Sequence, residues 1–123
     1  MFIFVSSANG QNLDGEIQDL TWVGFQQFQD ASRVFVRTSD KAHYKVDSSR
    51  DNLVILILEN AKVPLFNNTR PLLTQHFAGP ITSIVAKPIE GASPSVNIEI
   101  RLLRKVTFNV SQTDTIVALD FSR

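Results

Sequence analysis

The feature that most constrains this chain is that it reads as one unit written twice. Set against residues 81–121, residues 20–58 match in order: Leu20-Thr21 with Ile81-Thr82, and Val23 with Ile84. Val34, Val36, Arg37 and Lys41 match Ile98, Ile100, Arg101 and Lys105, and Tyr44 and Val46 match Phe108 and Val110. Asp51, Val54, Leu56 and Leu58 then match Asp114, Val117, Leu119 and Phe121. The offset is 61 residues at Leu20/Ile81, 64 at Val34/Ile98 and 63 at Asp51/Asp114, so a short insertion and a one-residue deletion restore the register. Two copies cannot stack into a solenoid, but they can close one core by packing face to face.

Within each copy the apolar spacing is that of strands. Residues 33–38 and 95–102 alternate apolar with polar, as half-buried strands do, and 53–58 is a short run rich in Ile and Val. Strands are expected over 17–28, 33–38, 43–46 and 53–58 in the first half, and over 81–89, 95–102, 105–110 and 115–121 in the second. Gly24 inside the first strand predicts a bulge or bend. No stretch has the period of an amphipathic helix. The expected fold is therefore all-β, a sandwich of two antiparallel sheets built from an internal repeat of a four-strand unit.

The halves span 17–58 and 81–121. Residues 59–80 connect them and carry Pro64, Asn67-Asn68, Pro71 and Gly79-Pro80, with a short helical turn expected near 72–76. Val63, Leu65, Phe66, Leu72, Leu73 and Phe77 predict that this connection is pinned to the body. Residues 1–16 read as a tail or linker, with Asn9-Gly10 and Asp14-Gly15 as turn signals and 2–5 as a short strand or simple tail. Met1 to Val5 is apolar but too short for a signal-peptide core and lacks a basic start, so the chain is expected to be cytosolic or a piece of a longer protein.

Where both copies are apolar, the side chain is expected to face the core. That places Val34, Val36, Val54, Leu56, Leu58, Ile98, Ile100, Val117, Leu119 and Phe121 inside. The opposite face then carries Glu99, Arg101 and Asp120 in the second half, but Phe35, Ile55 and Ile57 in the first, with Trp22 where the second half has Ser83. Apolar side chains on an outer face imply a cover or a partner. The covers within the chain are the connection around 66–77 and the N-terminal 2–5 segment; otherwise Phe35, Ile55 and Ile57 form a partner-binding surface.

Composition and motifs narrow the function by exclusion. Lys and Arg total 12 and so do Asp and Glu, which argues against a nucleic-acid partner and against an electrostatic membrane binder. No run is long enough to span a bilayer. Cysteine is absent, so thiol chemistry is excluded. No phosphate-binding glycine loop, nucleophile elbow or metalloprotease motif is present, and His43 and His76 have no metal-ligand spacing. Asp14, Glu16 and Asp19 read as a solvated edge, and Asp51 and Asp114 as turn residues that satisfy backbone N–H groups. No catalysis, cofactor or metal is expected. The better candidates are cationic: Arg33, Arg37 and Lys41 in the first half, and Arg101, Arg104 and Lys105 in the second. Outward arginines can fork to carboxylates or stack on sugars, or can simply protect an edge strand.

The same residues resemble a known family. Leu20-Thr21-Trp22-Val23, Ser32-Arg33-Val34-Phe35-Val36, Tyr44-Lys45-Val46 and the run Asn52 to Leu58 leading into Val63-Pro64 are similar to the first half of the AMIN domain. Gly79-Pro80-Ile81-Thr82-Ser83-Ile84, Val96 to Leu102, Val106 to Val110 and Thr115 to Phe121 resemble its second half. The chain departs from the family's usual pattern at Val85, at Asn97 to Ile100, and at Ile57. AMIN domains occur at the N-terminus of bacterial cell-wall amidases and in type IV pilus secretins. The resemblance implies a periplasmic, non-catalytic module that binds peptidoglycan and anchors an envelope complex. Arg33, Arg37 and Arg101 would contact glycan and stem peptide, with Trp22 as a stacking platform. The alternative is a module that docks another envelope protein on Phe35, Ile55 and Ile57.

Overall fold

The computed structural model describes residues 17–123; the expectations for residues 1–16 lie outside that range. Ten strands form in chain order: β1 (Gln18–Gln27), β2 (Ala31–Thr38), β3 (His43–Asp47), β4 (Leu53–Glu59), β5 (Ala61–Lys62), β6 (Leu72–Leu73), β7 (Ile81–Ile89), β8 (Ser95–Leu102), β9 (Phe108–Thr113) and β10 (Ile116–Ser122). They make two five-stranded sheets. Sheet I has the order β5-β1-β2-β10-β9 and sheet II the order β3-β4-β8-β7-β6. All pairings are antiparallel except the two-residue contact of β1 with β5. The fold is an all-β sandwich.

The halves do not form one sheet each. Each half contributes one hairpin to each sheet: β1-β2 and β9-β10 meet in sheet I, and β3-β4 and β7-β8 in sheet II. The joining pairs are β2 with β10 and β8 with β4, with Val36 opposite Val117 and Ile100 opposite Val54. Both opening strands carry a register irregularity at the same kind of step, Leu20 to Trp22 and Ile81 to Ser83. There Thr21 Oγ1 donates to the Arg37 carbonyl and Thr82 Oγ1 to the Arg101 carbonyl.

The side-chain alternation sets what is inside. All ten positions expected in the core are buried, from Val34 to Phe121, and Leu20, Ile81, Ile84 and Val96 join them. Each large side chain of this set stabilises the fold by roughly 1.5–3 kcal/mol relative to leaving it in water. Because strand residues alternate between faces, the same register fixes the outer faces as well.

Four local expectations are corrected. Gly24 is not the site of a bulge: it faces outward opposite Phe35, whose ring lies so close that a β-carbon there would clash with the ring's tip. The helical turn near 72–76 is instead β6 followed by a turn in which Phe77 N–H donates to the Thr74 carbonyl, while the helical residues are a 3-10 turn at Phe66–Thr69. β9 spans Phe108–Thr113 rather than 105–110 and ends in a two-residue turn, where Asp114 takes a positive φ of 54°. Asp51 and Asp114 do not hold backbone N–H groups among the described residues; Asp51 faces Lys105 at 3.7 Å, and the Asx-type bond is made by Asp47 to the Ser49 N–H at 3.0 Å.

The connection is held to the body along a flank, but not by most of the apolar residues expected to pin it: Val63 and Leu72 pack against the core, whereas Leu65, Phe66, Leu73 and Phe77 are exposed. Asn68 Nδ2 donates to the Thr21 carbonyl (3.1 Å), Thr74 Oγ1 donates to the Ile81 carbonyl (2.7 Å), and the Phe77 ring lies 5.2 Å from that of Phe25. Gly79 fits against Ser32 and Gln27, where a side chain would collide. These contacts tie β1 to β7 across the open side of the sandwich and leave Trp22 53% exposed. Among the described residues no helix is long and apolar enough to cross a membrane.

Candidate functional site

The outer face of sheet I is built from cross-strand rows. One row runs Trp22, Arg37, Ile116 and Thr113; the next runs Gly24, Phe35, Ala118 and Ser111; the third runs Gln26, Arg33, Asp120 and Asn109. Residues directly opposite on adjacent strands are in side-chain reach. The rows therefore put Trp22 beside Arg37, with Ile116 on the far side of the guanidinium-bearing strand.

Arg33 and Arg37 are four residues apart on one strand and face the same way, yet their surroundings differ. Arg33 forks onto Asp120, with Nε to Oδ1 at 2.7 Å and Nη2 to Oδ2 at 3.0 Å, and its guanidinium lies 5.1 Å from the centre of the Phe28 ring. That bidentate bond and its charge hold the Asp120 carboxyl below its ordinary value and raise Arg33 above its own. Arg33 is thus committed within the protein. Arg37 makes no ion pair among the described residues and is exposed. Trp22 and Arg37 are the members of the expected ligand set that remain open to a ligand on this face.

Arg101, the fourth member, is on the other side of the molecule. It projects from β8 on the outer face of sheet II, where Glu99 Oε1 lies 3.6 Å from its Nη2 and 3.1 Å from Lys87 Nζ. The expected partner surface is divided in the same way. Phe35 belongs to sheet I, whereas Ile55 and Ile57 belong to β4 in sheet II. All three are half-buried by in-sheet neighbours: Phe35 covers Gly24, and Ile55 and Ile57 sit between β3 and β8. The hairpin exchange separates them, and a single flat partner cannot touch all three.

His43 stands opposite Glu59 on the outer edge strand of sheet II, and His76 is exposed in the connection. Among the described residues no group of three or more His, Asp or Glu side chains is arranged to hold a metal. Among the described residues the groups displaced from their ordinary pKa are Arg33, Asp120 and Asp47, and Asp47 is lowered chiefly by the Ser49 backbone N–H. Each of these shifts has its cause in an ion pair or a turn.

Compared with known protein families, with curated proteins and with solved structures, the chain matches none.

Proposed function

We propose that this chain is a non-catalytic binding module of the bacterial cell envelope that holds peptidoglycan on the outer face of sheet I. The reading is carried by one observation: a Trp22 that is 53% exposed stands in register beside an Arg37 with no ion-pair partner among the described residues. An indole presents a flat apolar surface to the C–H face of a sugar ring, and a neighbouring guanidinium forks to a carboxylate such as those of stem peptides. Beside them Phe35 is laid over Gly24 and Arg33 is paired with Asp120, so neither competes with a ligand for Trp22 or Arg37.

The AMIN resemblance supports the same reading. So do the matched irregularities of β1 and β7, which fit a doubled four-strand unit. On this reading the module is periplasmic and localises a machine such as an amidase or a pilus secretin.

The test is co-sedimentation of the purified chain with insoluble peptidoglycan sacculi. Wild type is expected in the pellet. Trp22→Ala and Arg37→Ala are expected to weaken binding at least about tenfold each, in the range of a lost anchor residue, while Lys45→Ala on the opposite face leaves it unchanged. Wild type remaining in the supernatant overturns the proposal. Loss with Arg101→Ala alone moves the site to sheet II.

A further inference from the structure

The outer face of sheet II holds a concavity of about 310 Å³ at the end where the β3–β4 turn rises beside the sheet. Arg50 in that turn forms one wall, and Lys87 and Arg101 on β7 and β8 the other; Leu53 and Ile55 of β4 line it between them. Two acids, Asp47 and Glu99, and Ser49 complete the lining.

The charges of this concavity do not balance. Glu99, with its side chain 17% exposed, is shared by Lys87 and Arg101. Asp47 is engaged by the Ser49 N–H and held below its ordinary value, with Arg50 as a weaker contributor. Three cations therefore face two acids, and Arg50 forms no ion pair among the described residues. One negative charge neutralises the set. A guanidinium on each wall favours a planar, two-oxygen anion, and the aliphatic residues between them favour an apolar body attached to it. A phosphate, carrying more charge and no apolar portion, fits this balance less well.

We propose that the concavity is a second binding site, independent of the Trp22 face, that takes a small organic monocarboxylate with an apolar side chain, such as an N-acylated amino acid or the C-terminal residue of a peptide. The carboxylate lies between Arg50 and Arg101, and the apolar body packs on Ile55, the accessible aliphatic side chain of the lining, since Leu53 is buried. Glu99 keeps Lys87 and Arg101 in place and excludes dianions by repulsion.

The experiment is a heteronuclear NMR titration of the full chain with N-acetyl-leucine and, separately, with N-acetyl-leucinamide, which lacks the carboxylate. N-acetyl-leucine is expected to shift the Ile55 and Leu53 methyl signals and to saturate with a Kd of about 1–10 mM, as suits a small ligand on an open site. The amide is expected to bind at least about tenfold more weakly, the cost of losing a charge-assisted fork. Arg50→Ala is expected to weaken N-acetyl-leucine by about fivefold or more, while Arg50→Lys retains part of the affinity and Trp22→Ala leaves it unchanged. Equal binding of acid and amide, no response at Ile55, or insensitivity to Arg50→Ala each overturns the proposal. Because its readout is at Ile55 and its control is Trp22→Ala, failure here is distinct from failure of sacculus binding.

Discussion

The two sheets share one backbone plan and present different outer faces. Counted from the core pairs Val36–Val117 and Ile100–Val54, the next outward row is Gly24, Phe35, Ala118 and Ser111 in sheet I, and Val85, Glu99, Ile55 and Asp47 in sheet II. The row after it is Gln26, Arg33, Asp120 and Asn109 in one, and Lys87, Asn97, Ile57 and Lys45 in the other. In sheet I the charge is settled within a row, Arg33 directly across from Asp120, and an aromatic ring lies on a glycine. In sheet II one acid, Glu99, collects a diagonal lysine and the arginine two residues along its own strand. Strand pairing decides which cations are spent. Arg33 is spent because Asp120 faces it, and Arg37 is not because Trp22 and Ile116 do.

The largest test of the comparison concerns the layer the faces share. Leu119 in sheet I and Leu56 in sheet II are both fully buried, each flanked by valine or isoleucine on its neighbouring strands. Leu119→Ala and Leu56→Ala are each expected to cost about 2–5 kcal/mol, read by urea denaturation, since each leaves a cavity in a packed interior. A loss below about 1 kcal/mol for one of them would mean that its sheet is not packed at native density.

A smaller effect is expected from exchanging the faces. Gly24→Val gives sheet I the residue that sheet II carries opposite Glu99. The new side chain occupies the space of the Phe35 ring, which must swing off the strand. Overpacking of this kind costs roughly 1–3 kcal/mol, offset in part by the better strand propensity of valine. The reciprocal Val85→Gly meets no such clash, and it loses about 1 kcal/mol through backbone entropy and a bare strand. Phe35→Ala in the Gly24→Val background separates the two contributions: if the ring clash is the cause, the combined variant is more stable than Gly24→Val alone. A double variant no better than the single would locate the penalty elsewhere.

Much of this was legible in the chain before any strand was placed. The period-two alternation sorts Val34, Val36, Ile98, Ile100, Val117 and Leu119 to the inside without knowledge of their partners, because facing is a local property of a strand. What alternation cannot supply is which strand lies alongside which. Nothing near Arg33 announces Asp120, which lies 87 residues away, so Arg33 and Arg37 look equivalent in the sequence. For the same reason Phe35, Ile55 and Ile57 read as one patch when each half is taken as one sheet. The β2–β10 and β4–β8 pairings divide them. Gly24 illustrates the limit as well: its meaning lies in the ring across the strand, not in its own backbone. The concavity at Arg50 was missed altogether, because its walls come from a turn and two strands distant in the chain. The unmatched charge of Arg50 beside a polar turn carries no periodic signal.

The smallest expected effect is also the one that most directly separates a spent arginine from an available one. Asp120 and Arg33 are about one-third exposed, 31% and 38%, so their bidentate pair is screened and is worth roughly 0.5–1 kcal/mol. Asp120 has its folded-state pKa lowered, first by the Arg33 hydrogen bond and then by its charge. As pH falls, the unfolded chain therefore takes up the Asp120 proton before the folded chain does. The stabilisation is complete above about pH 5 and is lost as pH drops through the ordinary carboxylate range and past the lowered folded value. Asp120→Asn removes this dependence while keeping the side chain's size. Its stability deficit against wild type is expected to be about 0.5–1 kcal/mol at neutral pH and to shrink toward zero near pH 2. Other acids in the chain, Asp47 among them, titrate in both proteins and cancel in the difference. Arg37→Ala has no such partner and is expected to stay within about 0.5 kcal/mol of wild type across the same range. An equal, pH-dependent deficit for Arg37→Ala would show that Arg37 too is held within the fold, and the distinction between the two arginines on which the sheet I face depends would fall.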